Sequence, residues 1–229
     1  MIDLIYCAGA NPRLTAIAQE AGYLLGIRSD RADYGFPISF VDIDYKHADW
    51  GSHLRTIRKH VPKYATVPDL PAKPVEKCWQ EILHACGCAR ILSNYCEIPL
   101  IVPKVSGQIT EIPEDIAIGY SVPTSYGGAQ YPLWELAGRR IHLLGGSPHM
   151  QMLIYRYLQA IGSVVSADGN MAQKMAIQHA KFWLKGKWIK HPEHSQNKRD
   201  LYLDCWRRSC INIRQRWFLI SSPAQPVHI

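Results

Sequence analysis

The chain has 229 residues, 47% hydrophobic and 20% charged, which suits one large domain with a real core and argues against disorder. No run approaches the ~18 apolar residues of a membrane span, and the opening Met1-Ile2-Asp3-Leu4 carries an acid where a secretory leader carries bases, so a cytoplasmic protein without membrane contact is expected. The net charge of +7 is uneven: residues 1–170 hold 15 Lys and Arg against 16 Asp and Glu, whereas residues 171–229 hold 11 against 3.

In chain order, short apolar runs alternate with helical stretches. A strand at Asp3–Tyr6 is followed by a helix at Pro12–Ala21 behind an Asn11 cap. Strands at Tyr23–Ile27 and Ile38–Asp42 precede a helix at Trp50–His60, and a strand at Tyr64–Val67 precedes a helix at Pro74–Cys88. Strands at Pro99–Val102 and Ile116–Tyr120 are joined by a poorly helical stretch. Then come a strand at Arg140–Leu144, a helix at Pro148–Ile161, a strand at Ser163–Ser166 and a helix at Asn170–Lys185. A basic helix at about Lys198–Trp217 ends the series. Several runs are rich in Ile and Val without alternation, as strands covered on both faces are. Eight such units predict an α/β fold, a closed (β/α)8 barrel over residues 1–186, with a basic helical extension over 187–229 packed on it. An open doubly wound sheet is the alternative, weakened by the lack of a G-x-G-x-x-G after the first strand.

Seven cysteines without even spacing read as free thiols in a reducing compartment. Cys78, Cys86, Cys88 and Cys96, or His191, His194, Cys205 and Cys210, offer zinc-ligand chemistry but no paired C-x-x-C spacing, so no cofactor is expected. The basic last quarter is an electrostatic footprint for a polyanion, with Lys174, Lys181, Lys185, Arg207 and Arg208 as backbone contacts. Trp183, Trp188, Trp206 and Trp217 lie among these bases, where they either stack on nucleic-acid bases or pack onto the barrel.

Barrel active sites lie at the carboxyl ends of the strands. Those ends carry Asp42 and Asp44, Asp69, Lys104, the Tyr126-Gly127-Gly128 turn, Gly145-Gly146 and Asp168-Gly169-Asn170. An Asp or Asn before a helix is often only an N-cap, so Asp168 by itself reads equally as cap or catalyst. The glycines after the seventh and eighth strands suit a phosphate held by backbone N–H groups, or simply two tight turns.

The run Arg139-Arg140-Ile141-His142-Leu143-Leu144-Gly145-Gly146-Ser147-Pro148, a helix, and then Gly162-Ser163-Val164-Val165-Ser166-Ala167-Asp168-Gly169-Asn170 resembles the late strands of tRNA-guanine transglycosylases. Gly127-Gly128 resembles that family's Gly-Gly turn, and the likeness spans residues 38–176. The short chain looks most like compact relatives found in phages and modification islands, which place 7-deazaguanine bases in DNA. The resemblance implies a nucleophilic Asp168, with Asp69 and Lys104 recognising a base and Tyr126 stacking on it. The family's Asp-Ser-Gly-Gly-Phe-Gln motif and its C-x-C-x-x-C zinc motif are absent, so Asp42, or its neighbour Asp44, takes the role of second acid. What the resemblance implies is exchange of guanine in nucleic acid, DNA before tRNA, for a 7-deazaguanine base such as preQ0. Two other readings stand beside it: a sugar-phosphate lyase or isomerase using Lys104, and a non-catalytic nucleic-acid-binding barrel.

Overall fold

The computed structural model describes residues 2–7, 11–31, 35–44, 46–125, 127–193 and 201–222. Its centre is a closed barrel of eight parallel strands in sequence order, β1 (Asp3–Cys7), β2 (Leu24–Arg28), β3 (Phe40–Asp42), β4 (Tyr64–Thr66), β5 (Ile98–Ile101), β6 (Ala117–Ser121), β7 (Arg140–Leu144) and β8 (Ser163–Asp168). All eight expected strands are present, and the barrel closes by pairing of β8 with β1, Ile5 opposite Asp168. Around it run α1 (Pro12–Glu20), α2 (Trp50–His60), α3 (Trp79–Leu92), α4 (Pro148–Leu158), α5 (Met171–His179) and α6 (Leu201–Ser221). Among the described residues no α-helix separates β2 from β3, β5 from β6 or β6 from β7; the last two connections carry short 3-10 turns.

Local chemistry accounts for the helix starts. The Asn11 side chain accepts from the N–H of Arg13 and Leu14, Asp49 from Ser52, and Ser147 from Met150, with proline in the first turn of α1 and α4. Side chains alternate along each strand. Leu4, Val41, Ala65, Ile141 and Ala167 pack outward under the helices. Ile5, Phe40, Tyr64, Leu100 and Ala117 fill the barrel interior.

Three expectations need correction. The helix expected over Asn170–Lys185 ends at His179, where Ala180 takes a left-handed conformation (φ 46°). The chain then turns into an antiparallel hairpin, β9 (Lys181–Leu184) and β10 (Lys187–Lys190), around Lys185-Gly186. A division between residues 186 and 187 therefore falls at the end of a two-residue turn, inside the hairpin. The helix expected over Pro74–Cys88 is a 3-10 turn at Val75–Lys77 followed by α3, which runs on to Leu92.

The last helix is also more than an appendage. The Trp206 indole N–H donates to the Leu14 carbonyl at 2.9 Å, and Trp217 meets Tyr155 edge to face at 5.1 Å. α6 thus lies between α1 and α4 and completes the outer ring beside β8 and β1. Trp183, Trp206 and Trp217 are buried, so they pack the fold and offer no face for a base to stack on.

Candidate active site at the carboxyl ends of the strands

Two-residue alternation puts Cys7, Asp42, Thr66, His142 and Asp168 on the inward face of their strands. The Gly145 N–H donates to Asp168 Oδ1 at 2.9 Å and Cys7 Sγ donates to Oδ2 at 3.2 Å. His142 Nε2 lies 3.4 Å from Oδ1, and its Nδ1 meets Ser166 Oγ at 2.7 Å. Gln151, reaching in from α4, donates to the carbonyls of both Gly145 (2.7 Å) and Asp168 (2.5 Å), which ties the two loops together. Asp168 is therefore committed to the barrel interior and does not cap α5.

Burial alone would raise the Asp168 carboxyl, but the hydrogen bond and charge of His142, the Gly145 N–H and the Cys7 thiol outweigh it, and the net shift is downward. Asp168 is an ionised carboxylate at neutral pH. The Cys7 thiol is pushed well up by burial and by the charges of Asp168 and Asp42, so it stays a donor.

Asp42 faces the same space from β3 with the opposite outcome. Burial, then the charge of Asp168, raise its carboxyl to about 7, against a hydrogen bond from Thr66 that lowers it. Thr66 Oγ1 accepts from Ile43 N–H at 3.0 Å, which leaves its single hydrogen for Asp42 Oδ1 at 2.8 Å. The Thr66 carbonyl is itself held by His53 Nε2 at 2.7 Å, and burial lowers the His53 imidazole to about 4, so it is neutral. A neutral ring facing a carbonyl must carry its hydrogen on Nε2. Asp44, by contrast, pairs with Arg28 at 3.1 Å on the rim.

Asp69 and Lys104 form an ion pair at 2.5 Å, and the Asp69 charge adds to the upward pressure on Asp42. The three acids expected from the strand ends thus share one electrostatic neighbourhood. The glycines act structurally. Gly145 (φ 66°) and Gly146 (φ 78°) are left-handed, and a Cβ on Gly146 would stand 2.4 Å from Val122. Because the Gly145 N–H is spent on Asp168, it is not open to a phosphate, and of the two alternatives for these glycines the tight turn is the one that applies to Gly145. Gly127 closes a tight turn with Thr124, and a Cβ on Gly128 would stand 2.6 Å from Pro123. Asn170 is exposed and its side chain makes no capping bond. Tyr126 lies outside the described residues.

Of the expected backbone contacts, Arg207 is bound to Glu20 at 2.7 Å and Arg208 to Asp204 at 2.6 Å, with Arg208 also over the Phe182 ring. Lys174, Lys181 and Lys185 form no ion pair among the described residues. All seven cysteines are free thiols. Among the described residues no three His, Cys, Asp or Glu side chains gather as metal ligands, and His194 of one candidate zinc set lies outside them. No described helix is long and apolar enough to cross a membrane.

Cys7, Thr66, His142 and Gln151 were not singled out from sequence. Inward phase along each strand was the available signal for the first three; Gln151 comes from a helix and carries none.

Fold and site define a (β/α)8 barrel with an acid-lined mouth. The model of a family of unknown function, DUF6610, matches residues 18–218, and the chain belongs to that family. No curated protein and no solved structure matches it.

Proposed function

We propose that the protein is a base-exchange transglycosylase that replaces guanine in nucleic acid with a 7-deazaguanine base through a covalent aspartate intermediate. One observation carries this reading: two carboxylates face one barrel mouth in surroundings that push their proton affinities apart, Asp168 down and Asp42 up to about 7. Such a split is how one site supplies both a carboxylate nucleophile and a proton carrier at neutral pH.

In the first step an Asp168 oxygen bonds to the sugar C1′ as the C1′–N bond to guanine breaks. The bond's electron pair leaves with the base, and protonated Asp42 supplies the proton the departing base needs. In the second, ionised Asp42 takes a proton from the entering base. The base nitrogen bonds to C1′ and Asp168 leaves as carboxylate. Asp69 suits the guanine N1–H and amino group as acceptor, and Lys104 suits the base carbonyl as donor. In the free protein these two satisfy each other, so an entering base exchanges one ion pair for two hydrogen-bonded contacts. That engagement of Lys104 also disfavours its use as a Schiff-base nucleophile. DNA is the favoured polymer, on the resemblance to compact DNA-modifying relatives, and a base within a duplex must first be flipped out at a cost of a few kcal/mol.

Incubation with labelled guanine or preQ0, together with DNA or tRNA, tests the reading. Wild type should label a polymer and D168N should not. Failure to label either polymer, or equal labelling by D168N, overturns it.

A further inference from the structure

The outer surface of the ring holds a groove of about 460 Å³ between α4 and α6, stopped at one end by the β9–β10 turn. Each helix contributes one stripe at i, i+3, i+4 and i+7 spacing. The charged residues of the groove are Arg156 and Lys185 and Arg216, with His149 beside them, and no described carboxylate lines it. Leu153 and Leu219 are exposed along its length.

These three cations differ from Arg207, Arg208 and Arg214 of the basic quarter. Arg207 and Arg208 are neutralised by carboxylates, and Arg214 donates to the Ala21 carbonyl at 2.6 Å. Arg156, Lys185 and Arg216 have no ion pair among the described residues, so their charge is not neutralised by a neighbouring carboxylate. The groove also starts in a telling place. His149 is four residues beyond Gly145, whose N–H holds Asp168. From His149 to Arg156 the helix advances about 10 Å. The groove therefore starts at His149, on the helix that follows the Gly145 loop, and runs along the outer wall past Arg156, Lys185 and Arg216.

We propose that this groove seats the phosphate backbone of the nucleic-acid substrate, flanking the nucleotide presented to Asp168. The inference rests on the transglycosylase reading for the identity of the polyanion, and it relocates the backbone contacts from Arg207 and Arg208 to Arg156, Lys185 and Arg216. Backbone contact through cations carries little sequence information, which fits a track set apart from the base-facing mouth.

The test is anisotropy with labelled single-stranded DNA, duplex DNA and tRNA from about 50 to about 200 mM salt. R156Q/R216Q is compared with wild type and with R207Q/R208Q, and thermal melting checks that each is folded. R156Q/R216Q should bind about tenfold or more weakly, with a salt slope reduced by about 0.9 for each phosphate no longer neutralised. R207Q/R208Q should match wild type. Unchanged affinity and slope in R156Q/R216Q, an equal loss in R207Q/R208Q, no polymer binding by wild type, or tighter binding of polyglutamate than of any polynucleotide each overturn the proposal. In the exchange assay R156Q/R216Q should raise KM for the polymer and leave kcat unchanged. Groove-dependent binding without any exchange sinks the transglycosylase reading alone; exchange with an unaltered KM sinks the groove alone.

Discussion

The ends of β3 and β8 present the same functional group to the same space and give it opposite character. At β8, Asp168 receives a backbone N–H and a thiol and has the His142 imidazole 3.4 Å away, and burial fails to protonate it. At β3, Asp42 has the Thr66 hydroxyl, and burial with the Asp168 charge prevails. Both carboxylates are buried, so what separates their proton affinities is the set of donors and charges facing each one. The first carboxylate to gain donors also raises the other, since its negative charge disfavours a second ionisation nearby.

The comparison breaks most sharply at β8. D168N should reduce exchange about 10⁴-fold or more, as removal of a covalent nucleophile does. It should also lower the Asp42 titration, because one of the charges raising Asp42 is gone; carboxyl NMR on labelled aspartate reads this without any activity. An unchanged Asp42 midpoint would show that the two acids do not sense each other.

D42N should cost about 10²- to 10⁴-fold in exchange, the usual span for a general acid–base group. Its effect on stability has the opposite sign. Folded Asp42 titrates at about 7 against an ordinary 3.8, so its contribution to stability is fully present below the unfolded value and is lost as pH rises to about 7. Above that the wild type bears a penalty of at most about 4 kcal/mol, which D42N relieves. Melting temperature against pH should therefore fall from about pH 4 to about pH 7 in wild type more steeply than in D42N. Asp168 works the other way: its depressed proton affinity adds stability at neutral pH that is lost on acidification.

Thr66→Val removes the one side-chain donor to Asp42. The alkaline side of the pH–rate profile should move up with a rate loss of about tenfold, and Thr66→Ser should restore both. A T66V profile superimposable on wild type would remove Thr66 from the account. Smallest is Cys7→Ala, which deletes one weak donor to Asp168 and should cost about 1 kcal/mol or less in transition-state stabilisation, read as kcat/KM.

Much of this was legible in the chain itself. Each βα unit announces itself locally: apolar runs mark the strands, and Asn11, Asp49 and Ser147 cap the helices that follow. Asp42, Asp69, Lys104 and Asp168 were found because barrel chemistry gathers where strands end. The hairpin at Lys181–Lys190 was hidden because its Phe, Trp and Leu also fit helical spacing, and the left-handed break falls on Ala180, a residue that signals none. The tryptophans of the basic quarter were ambiguous for a related reason. Composition cannot say which face of a helix meets the barrel.

Sequence by itself determined the number, order and kind of most elements, since these follow from periodicity and caps acting over a few residues. Tertiary structure alone decided which way the acids turn. A register shift between β7 and β8 at Ile141/His142 brings His142 opposite Ser166, and a one-residue slip in a strand reverses every side chain beyond it. That register aims Asp168 at the barrel axis, and barrel closure brings it to Cys7 on β1, 161 residues away in the chain. The contrast between Asp168 and Asp42 exists only once distant donors have been brought to one carboxylate and withheld from the other.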